Sequence, residues 1–404
     1  MIPTLRLDLI QTLAVACVVY YLGMFLRRRV PFLERLNIPA AVVGGLLFAG
    51  LNLIAHNRII NLQFETVTQP LLIVLFFTTI GMSASLPLLK RGGAQVLLFL
   101  AMSVIFCFVQ NFIGMGISSA FGVNPLLGVI AGSVTLVGGP ATGMAFAPLF
   151  EKAGVIGAGT LAITAATFGI TCGGIIGGPA GTWLIRRHRL RADKRISKTE
   201  LREELHPEPD ILSIDVGRED SSLVMSIIVA AAAMGVGSVV SYFIQSFGIT
   251  LPAYIGAMFI ASLFRNVDDV TRIFKIDHKA MELMGGIALN IFLVVALMDL
   301  KLWELVHLAA PLAVILVAQV FAVTVFSLTV SYWAMGKDYE SAVMAGGFIG
   351  FVLGTTANSM ANMKALVGKF GPAPRAFLVV PMVGAFFIDF INALIITLFL
   401  NWLG

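Results

Sequence analysis

Glycine, threonine and asparagine gather at two places where a hydrophobic segment would otherwise run on unbroken. The stretch 132–150 (GSVTLVGGPATGMAFAPLF) contains Gly138, Gly139, Pro140, Ala141, Thr142 and Gly143, and the stretch 345–363 (AGGFIGFVLGTTANSMANM) contains Gly350, Gly354, Thr355, Thr356, Asn358 and Ser359. Two glycines followed by a proline cannot sustain a helical hydrogen-bond ladder, so the first cluster predicts a break across 138–143. A helix that restarts after such a break presents free N–H groups and the positive end of its dipole, a seat for a carboxylate. The second cluster offers the same backbone device together with side-chain oxygens suited to a hard cation such as sodium. We therefore read both clusters as candidate substrate-binding residues.

Asp389 lies near the middle of the last apolar run, with Asn392 about one helical turn away on the same face. An ionisable group at that depth is costly and usually functional, which makes the pair a candidate for sodium binding or coupling. Thr160, Thr164, Thr167 and Thr171 recur at helical spacing directly after the first cluster. Thr164 and Thr167 join the coupling candidates. Bland readings stand beside these: small residues mark tight helix packing, a neighbouring helix caps Asp389, and threonine hydroxyls bond their own i−4 carbonyls. Asp299, beside Lys301 and Trp303, reads as an interfacial anchor, and Gln110 and Asn111 as glue between helices.

The elements that must position these residues follow from composition. Hydrophobic residues make up 58% of the 404 positions and charged ones only 12%, against about 25% charged in a soluble domain. This predicts an all-α integral membrane protein. Apolar runs fall at 8–26, 38–55, 69–88, 94–120, 125–150, 157–185, 222–245, 249–264, 280–298, 304–335, 340–367 and 375–402. If all twelve crossed a bilayer, Arg27-Arg28-Arg29, Lys90-Arg91 and the basic cluster at Arg186–Arg189 could not share one side, as the positive-inside rule requires. Letting 125–150 and 340–367 dip in and return repairs both halves. Both termini are then outside, and of 27 Lys and Arg residues only Arg6, Arg58, Lys152 and Lys301 are not cytoplasmic. The expectation is ten transmembrane helices plus two re-entrant hairpins, each hairpin arm of roughly a dozen residues reaching about halfway across a core of about 30 Å.

The halves 1–185 and 222–404 resemble each other. Pro39-Ala40-Ala41 before Gly44 answers to Pro252-Ala253-Tyr254 before Gly256, and the hairpins repeat at a similar offset. With five spans each, the second unit enters upside down relative to the first, an inverted-topology repeat of the kind found in secondary transporters. Residues 186–221 are charged, carry Pro207 and Pro209, and read as a solvated cytoplasmic linker. Cys17, Cys107 and Cys172 lie inside apolar runs and read as packing residues, with no metal site other than sodium. The N-terminus has no basic n-region and cleavage site, so the first apolar segment is expected to be retained.

An enzyme is disfavoured. None of His56, His188, His206, His278 and His307 sits in a His-Glu-x-x-His motif, and Asp389 has no facing aspartate at depth. A channel can also use re-entrant loops, but hairpins of different sequence entering from opposite faces suit alternating access to one midplane site.

The chain resembles the sodium/glutamate symporter family of bacterial inner membranes. The resemblance is carried by Phe370-Gly371-Pro372, the run from Ala376 through Val380-Pro381-Met382-Val383-Gly384 to Asp389, and Asn392-Ala393-Leu394. It extends to Gly132-Ser133-Val134-Thr135-Leu136 with Gly138-Gly139, to Ala166-Thr167-Phe168-Gly169, and to Leu300-Lys301-Leu302-Trp303. It implies sodium-coupled uptake of glutamate, a homodimer, and a mobile domain that carries the site past a fixed scaffold. Relative to the family's usual loops, this chain has Pro140 and Ala141 in place of His-Gly, and Val352, Thr355, Ala357 and Asn358 in the second loop. Carriage of another organic anion, or coupling to protons, is the alternative.

Overall fold

A computed structural model describes residues 3–36, 38–56, 58, 60–192, 220–248, 251–274, 276–300 and 308–403. Most of the expected linker, and the stretch containing Lys301, Trp303 and His307, lie outside the described residues. The first half opens with β1 (Thr4–Leu7), α1 (Leu9–Arg29), the short α2 (Pro31–Arg35), α3 (Ala40–Ala55) and β2 (Asn61–Phe64). It continues through α4 (Thr68–Met82), α5 (Leu86–Ala120), α6 (Pro125–Val129), a π turn (Ile130–Val134), α7 (Gly139–Lys152) and α8 (Ala158–Arg187). The second half comprises α9 (Asp220–Gln245), α10 (Ala253–Thr271), α11 (His278–Met298) and α12 (Ala309–Phe326), the last continuing through a π turn (Ser327–Ser331) into α13 (Tyr332–Ala334). It ends with α14 (Tyr339–Leu353), α15 (Thr356–Phe370), α16 (Pro374–Met382), a π turn (Val383–Phe387) and α17 (Ile388–Leu403).

Among the described residues each expected apolar run is largely helical, and six helices are long and apolar enough to cross a membrane. Ala40–Ala55 and Thr68–Met82 are apolar but only 16 and 15 residues long, which at 1.5 Å per residue gives about 24 and about 22 Å. Large side chains stand in the open on outer faces: Tyr242 is 77% exposed and Phe321 71%. A water-soluble surface does not carry such a belt, and this is a multi-pass membrane protein. One feature has no counterpart in the expectation: β1 pairs in parallel with β2, Thr4 opposite Asn61. Four-residue strands are too short to leave a periodic signal.

The helices pack as two groups. In the first, α1, α3, α4, α9, α10 and α11 cross closely, with Phe77 stacked on Tyr254 at 4.9 Å. The α1–α3 crossing brings Gly23 against Gly44, and the α9–α10 crossing brings Gly237 against Gly256. At both crossings backbone meets backbone where a Cβ would not fit. α3 and α10 both start on a proline N-cap in the same conformation, Pro39 (φ −59, ψ 140) and Pro252 (φ −59, ψ 148). The second group holds α5 to α8 and α12 to α17, around a ring cluster of Phe99, Phe106, Phe326 and Phe348. Contacts between the groups include Phe146 on Tyr254 (5.4 Å) and Phe259 on Phe390 (6.2 Å).

Candidate functional site

Both glycine-rich clusters are helix–break–helix units inside the second group. In the first, Asn124 caps α6 by accepting the Leu126 N–H (2.9 Å) and donates to the Ala153 carbonyl (3.2 Å), closing the base of the hairpin. The π turn follows, bent at Gly132 (φ −105, ψ −130). The helix is interrupted at 137–138 and restarts at Gly139, whose φ of +69 only glycine adopts without strain. The expected break across 138–143 is therefore shorter than its composition suggested. Pro140 sits in the first turn of α7, where its missing N–H and fixed φ are tolerated, so it starts the helix. Ala141, Thr142 and Gly143 already belong to that helix.

The second unit breaks at Gly354 (φ −147, ψ −99), and Thr355 caps α15 by accepting the Asn358 N–H at 3.4 Å. Asp338 and Arg375 clip its base. Asp338 Oδ1 accepts from the Ser341 amide (2.8 Å) and hydroxyl (2.6 Å) and from Arg375 Nη2 (2.6 Å). Burial pushes the Asp338 carboxyl up, but the Ser341 bonds and the Arg375 guanidinium outweigh it and hold it below the usual range.

The two breaks meet. A Cβ placed on Gly139 would lie 3.7 Å from Thr355 Cγ2 and 3.8 Å from the Gly354 carbonyl oxygen. The starts of α7 and α15 therefore converge, and their free N–H groups and positive dipole ends share one locality. α8 backs both hairpins. Its Gly169, Gly173 and Gly177 let α14 and Asn362 approach the backbone, while Asn358 and Asn362 donate to the carbonyls of Ile170 (2.7 Å) and Gly173 (2.9 Å).

On the helices that form or back the two breaks, several buried polar atoms have no hydrogen-bond partner among the described residues: Asn358 Oδ1, Ser359 Oγ, Ser133 Oγ, Asn392 Oδ1 and Thr167 Oγ1. In a membrane interior such atoms are expensive unless a ligand, ion or water completes them. Four of the five are acceptors on residues anticipated from sequence. Gly143 and Gly350 lie back from the breaks in close packing, Gly143 against Ala162 and Gly350 against the Asn358–Ser359 backbone. Thr356 donates weakly to the Gly384 carbonyl (3.3 Å).

The coupling candidates fall in two places. Asn392 reaches the first hairpin, donating to the Ser133 carbonyl at 2.9 Å, with Asp389 half-buried one turn earlier on α17. Thr164, Thr167 and Thr171 line a cavity of about 280 Å³ between α8 and Leu46 of α3, together with Ile163 and Phe168. That cavity lies between the two helix groups. The hydroxyls of Thr164 and Thr171 bond the carbonyls of Thr160 and Thr167 (2.8 Å each), whereas Thr167 keeps its oxygen unused. Residues not named as site candidates from sequence also bond around the breaks: Ser133, Asn362 and Gln319, together with Gln110 and Asn111, which the sequence marked only as glue between helices. Gln319 and the Gln110–Asn111 pair are polar residues inside apolar runs, and that was the only signal available for them.

Comparison with known proteins gives a consistent answer. The family profile described as Sodium/glutamate symporter matches residues 5–372. The sodium/glutamate symporter of Escherichia coli (strain K12) is 38% identical over 403 residues, covering 98% of each chain. That of Haemophilus influenzae (strain Rd) is 38% identical over 388 residues, covering 95% of each.

Proposed function

Because the chain belongs to the sodium/glutamate symporter family, we propose that it is a sodium-coupled carrier that imports L-glutamate by alternating access. It is a symporter rather than an enzyme, and sodium is its coupling ion rather than a cofactor. The observation that carries the location of the site is the contact between the two helix breaks at Gly139 and Thr355. A carboxylate seated there is held by N–H groups of α7 and α15. Sodium is held by the unused oxygens nearby, with Asp389 and Asn392, and Thr164 and Thr167, as the coupling candidates.

We read the helices as ten spans and two re-entrant hairpins in inverted repeats, set in a bacterial inner membrane with both termini periplasmic. The repeated element order, the matched Pro39 and Pro252 caps and the charge parity support this reading. The short α3 and α4 then cross with flanking residues or local thinning making up the difference. The hairpin group carries the site past the other group, which serves as scaffold in a homodimer. What supports an elevator-like motion is that the ring contacts between the groups, Phe146 on Tyr254 and Phe259 on Phe390, are apolar, so sliding them past each other breaks no hydrogen bond. A panel of labelled amino acids and dicarboxylates, each offered to proteoliposomes with and without an inward sodium gradient, tests the substrate. Glutamate is expected to lead and to need sodium. Equal uptake without sodium, or preference for another anion, would defeat the assignment.

A further inference from the structure

Two adjacent residues of α5, both fully buried, hold the two hairpins at once. Asn111 Oδ1 accepts the Ser133 N–H of the first hairpin at 2.9 Å, and Gln110 Nε2 donates to the Val352 carbonyl of the second at 3.0 Å. Neighbouring residues on a helix point about 100° apart, so a single turn of α5 reaches both units.

Each amide replaces a bond that its hairpin has lost. The π turn and the bend at Gly132 disturb the ladder through Ser133. The i+4 partner of the Val352 carbonyl would be Thr356, which belongs to the next helix beyond the break. A backbone group orphaned in this way inside a membrane needs a substitute partner. The approach is also shaped to allow it, since a Cβ on Gly132 would lie 2.7 Å from Asn111 Oδ1 and 3.2 Å from the Gln110 carbonyl. α5 is itself fixed at this turn. Gln319 of α12 donates to the Gln110 carbonyl at 2.7 Å, and Asn392 of α17 holds the Ser133 carbonyl from the far side.

We propose that Gln110 and Asn111 are positioning residues that tie the two hairpin tips through one rigid turn of α5, so that a change in the backbone of one tip is felt at the other. Neither side chain needs to touch substrate. This inference rests on the reading of the tips as the transport site, and it makes loading of the two hairpins interdependent.

Hydrogen–deuterium exchange on the full-length protein in lipid nanodiscs tests the tie directly, because exchange reports local opening. Asn111→Leu removes the acceptor for the first hairpin and Gln110→Met removes the donor to the second. Each variant is expected to speed exchange about tenfold in both 130–138 and 350–358, a size typical of a coupled network. Faster exchange only in the hairpin that the altered side chain touches would overturn the proposal. Should either variant fail to fold, Gly132→Ala asks the same question sterically, with the same expectation for 350–358. In sodium-driven glutamate uptake, the variants are expected to raise the half-saturation values for glutamate and sodium together by about tenfold. A purely structural role would lower the amount of active carrier and leave both values unchanged. If the unaltered protein shows no such uptake, the transport reading fails, while the exchange result still decides whether the tips are tied.

Discussion

At Gly139 the backbone adopts φ +69, and the residue faces Thr355 across the meeting point of the two hairpins. A side chain enters that conformation at a cost of about 1 kcal/mol. Gly139→Ala is therefore expected to lower the melting temperature by only a few degrees and, with the proposed site at the tips, to reduce glutamate uptake at least about tenfold, since the methyl group would intrude there. Wild-type uptake in a folded Gly139→Ala protein would remove the tips from the site. Asp389 sits one turn from Asn392, which grips the first hairpin. In the proposed coupling role, replacing its carboxylate by an amide removes the charge that would offset a bound cation. Asp389→Asn is expected to shift the sodium half-saturation value upward by about tenfold or more, and an unchanged sodium curve would assign Asp389 a structural role. At this scale the helix breaks were legible in advance, because glycine and proline carry their backbone chemistry in their type. Gln110 was legible only as a polar residue that glues helices together. Its partner, the Val352 carbonyl, is 242 positions away, and local spacing cannot reveal a partner that distant.

The hairpins show how far element-level reading extends. Interrupted apolar runs and charge parity led to the expectation of two hairpins, and in both ranges the structure has two helices separated by a break. Where each break falls depended on finer chemistry. Pro140 begins a helix instead of ending one because Gly139 before it supplies the positive φ. The base of the second hairpin was not anticipated as a unit, since Asp338 and Arg375 stand on either side of the whole helical pair. The Asp338 carboxyl is held below its usual range, so the clip stabilises the fold above the unfolded value of about 3.9 and is lost as pH falls through the lower folded value. Its side chain is 51% exposed, and solvent screening keeps the contribution below about 1 kcal/mol. Melting of Asp338→Asn is expected to run slightly below wild type above about pH 5 and to converge with it only as the pH falls through the folded value, below about 3.9. A gap that widens on acidification would contradict the clip.

Over the whole molecule, the division into two helix groups explains why a cavity lined by Thr164, Thr167 and Thr171 opens against Leu46, and why the bridging contacts are ring against ring. Phe259 and Phe390 stack at 6.2 Å across that boundary. Cysteines placed at both positions and joined by a short bismaleimide are expected to abolish uptake if the groups must slide, while either single cysteine treated alike retains it. Full activity after cross-linking would exclude motion at that boundary. Of this scale the sequence offered the expectation of a repeat and the positions of the apolar runs, but which helices group together is a matter of long-range packing, visible only where glycines such as Gly44 and Gly256 meet a neighbouring backbone. The most direct test of the account is uptake of labelled glutamate into proteoliposomes under an imposed inward sodium gradient. It predicts saturable accumulation above the outside concentration that collapses when the gradient is dissipated. Equilibration without accumulation, or a non-saturating ohmic current in its place, would contradict it.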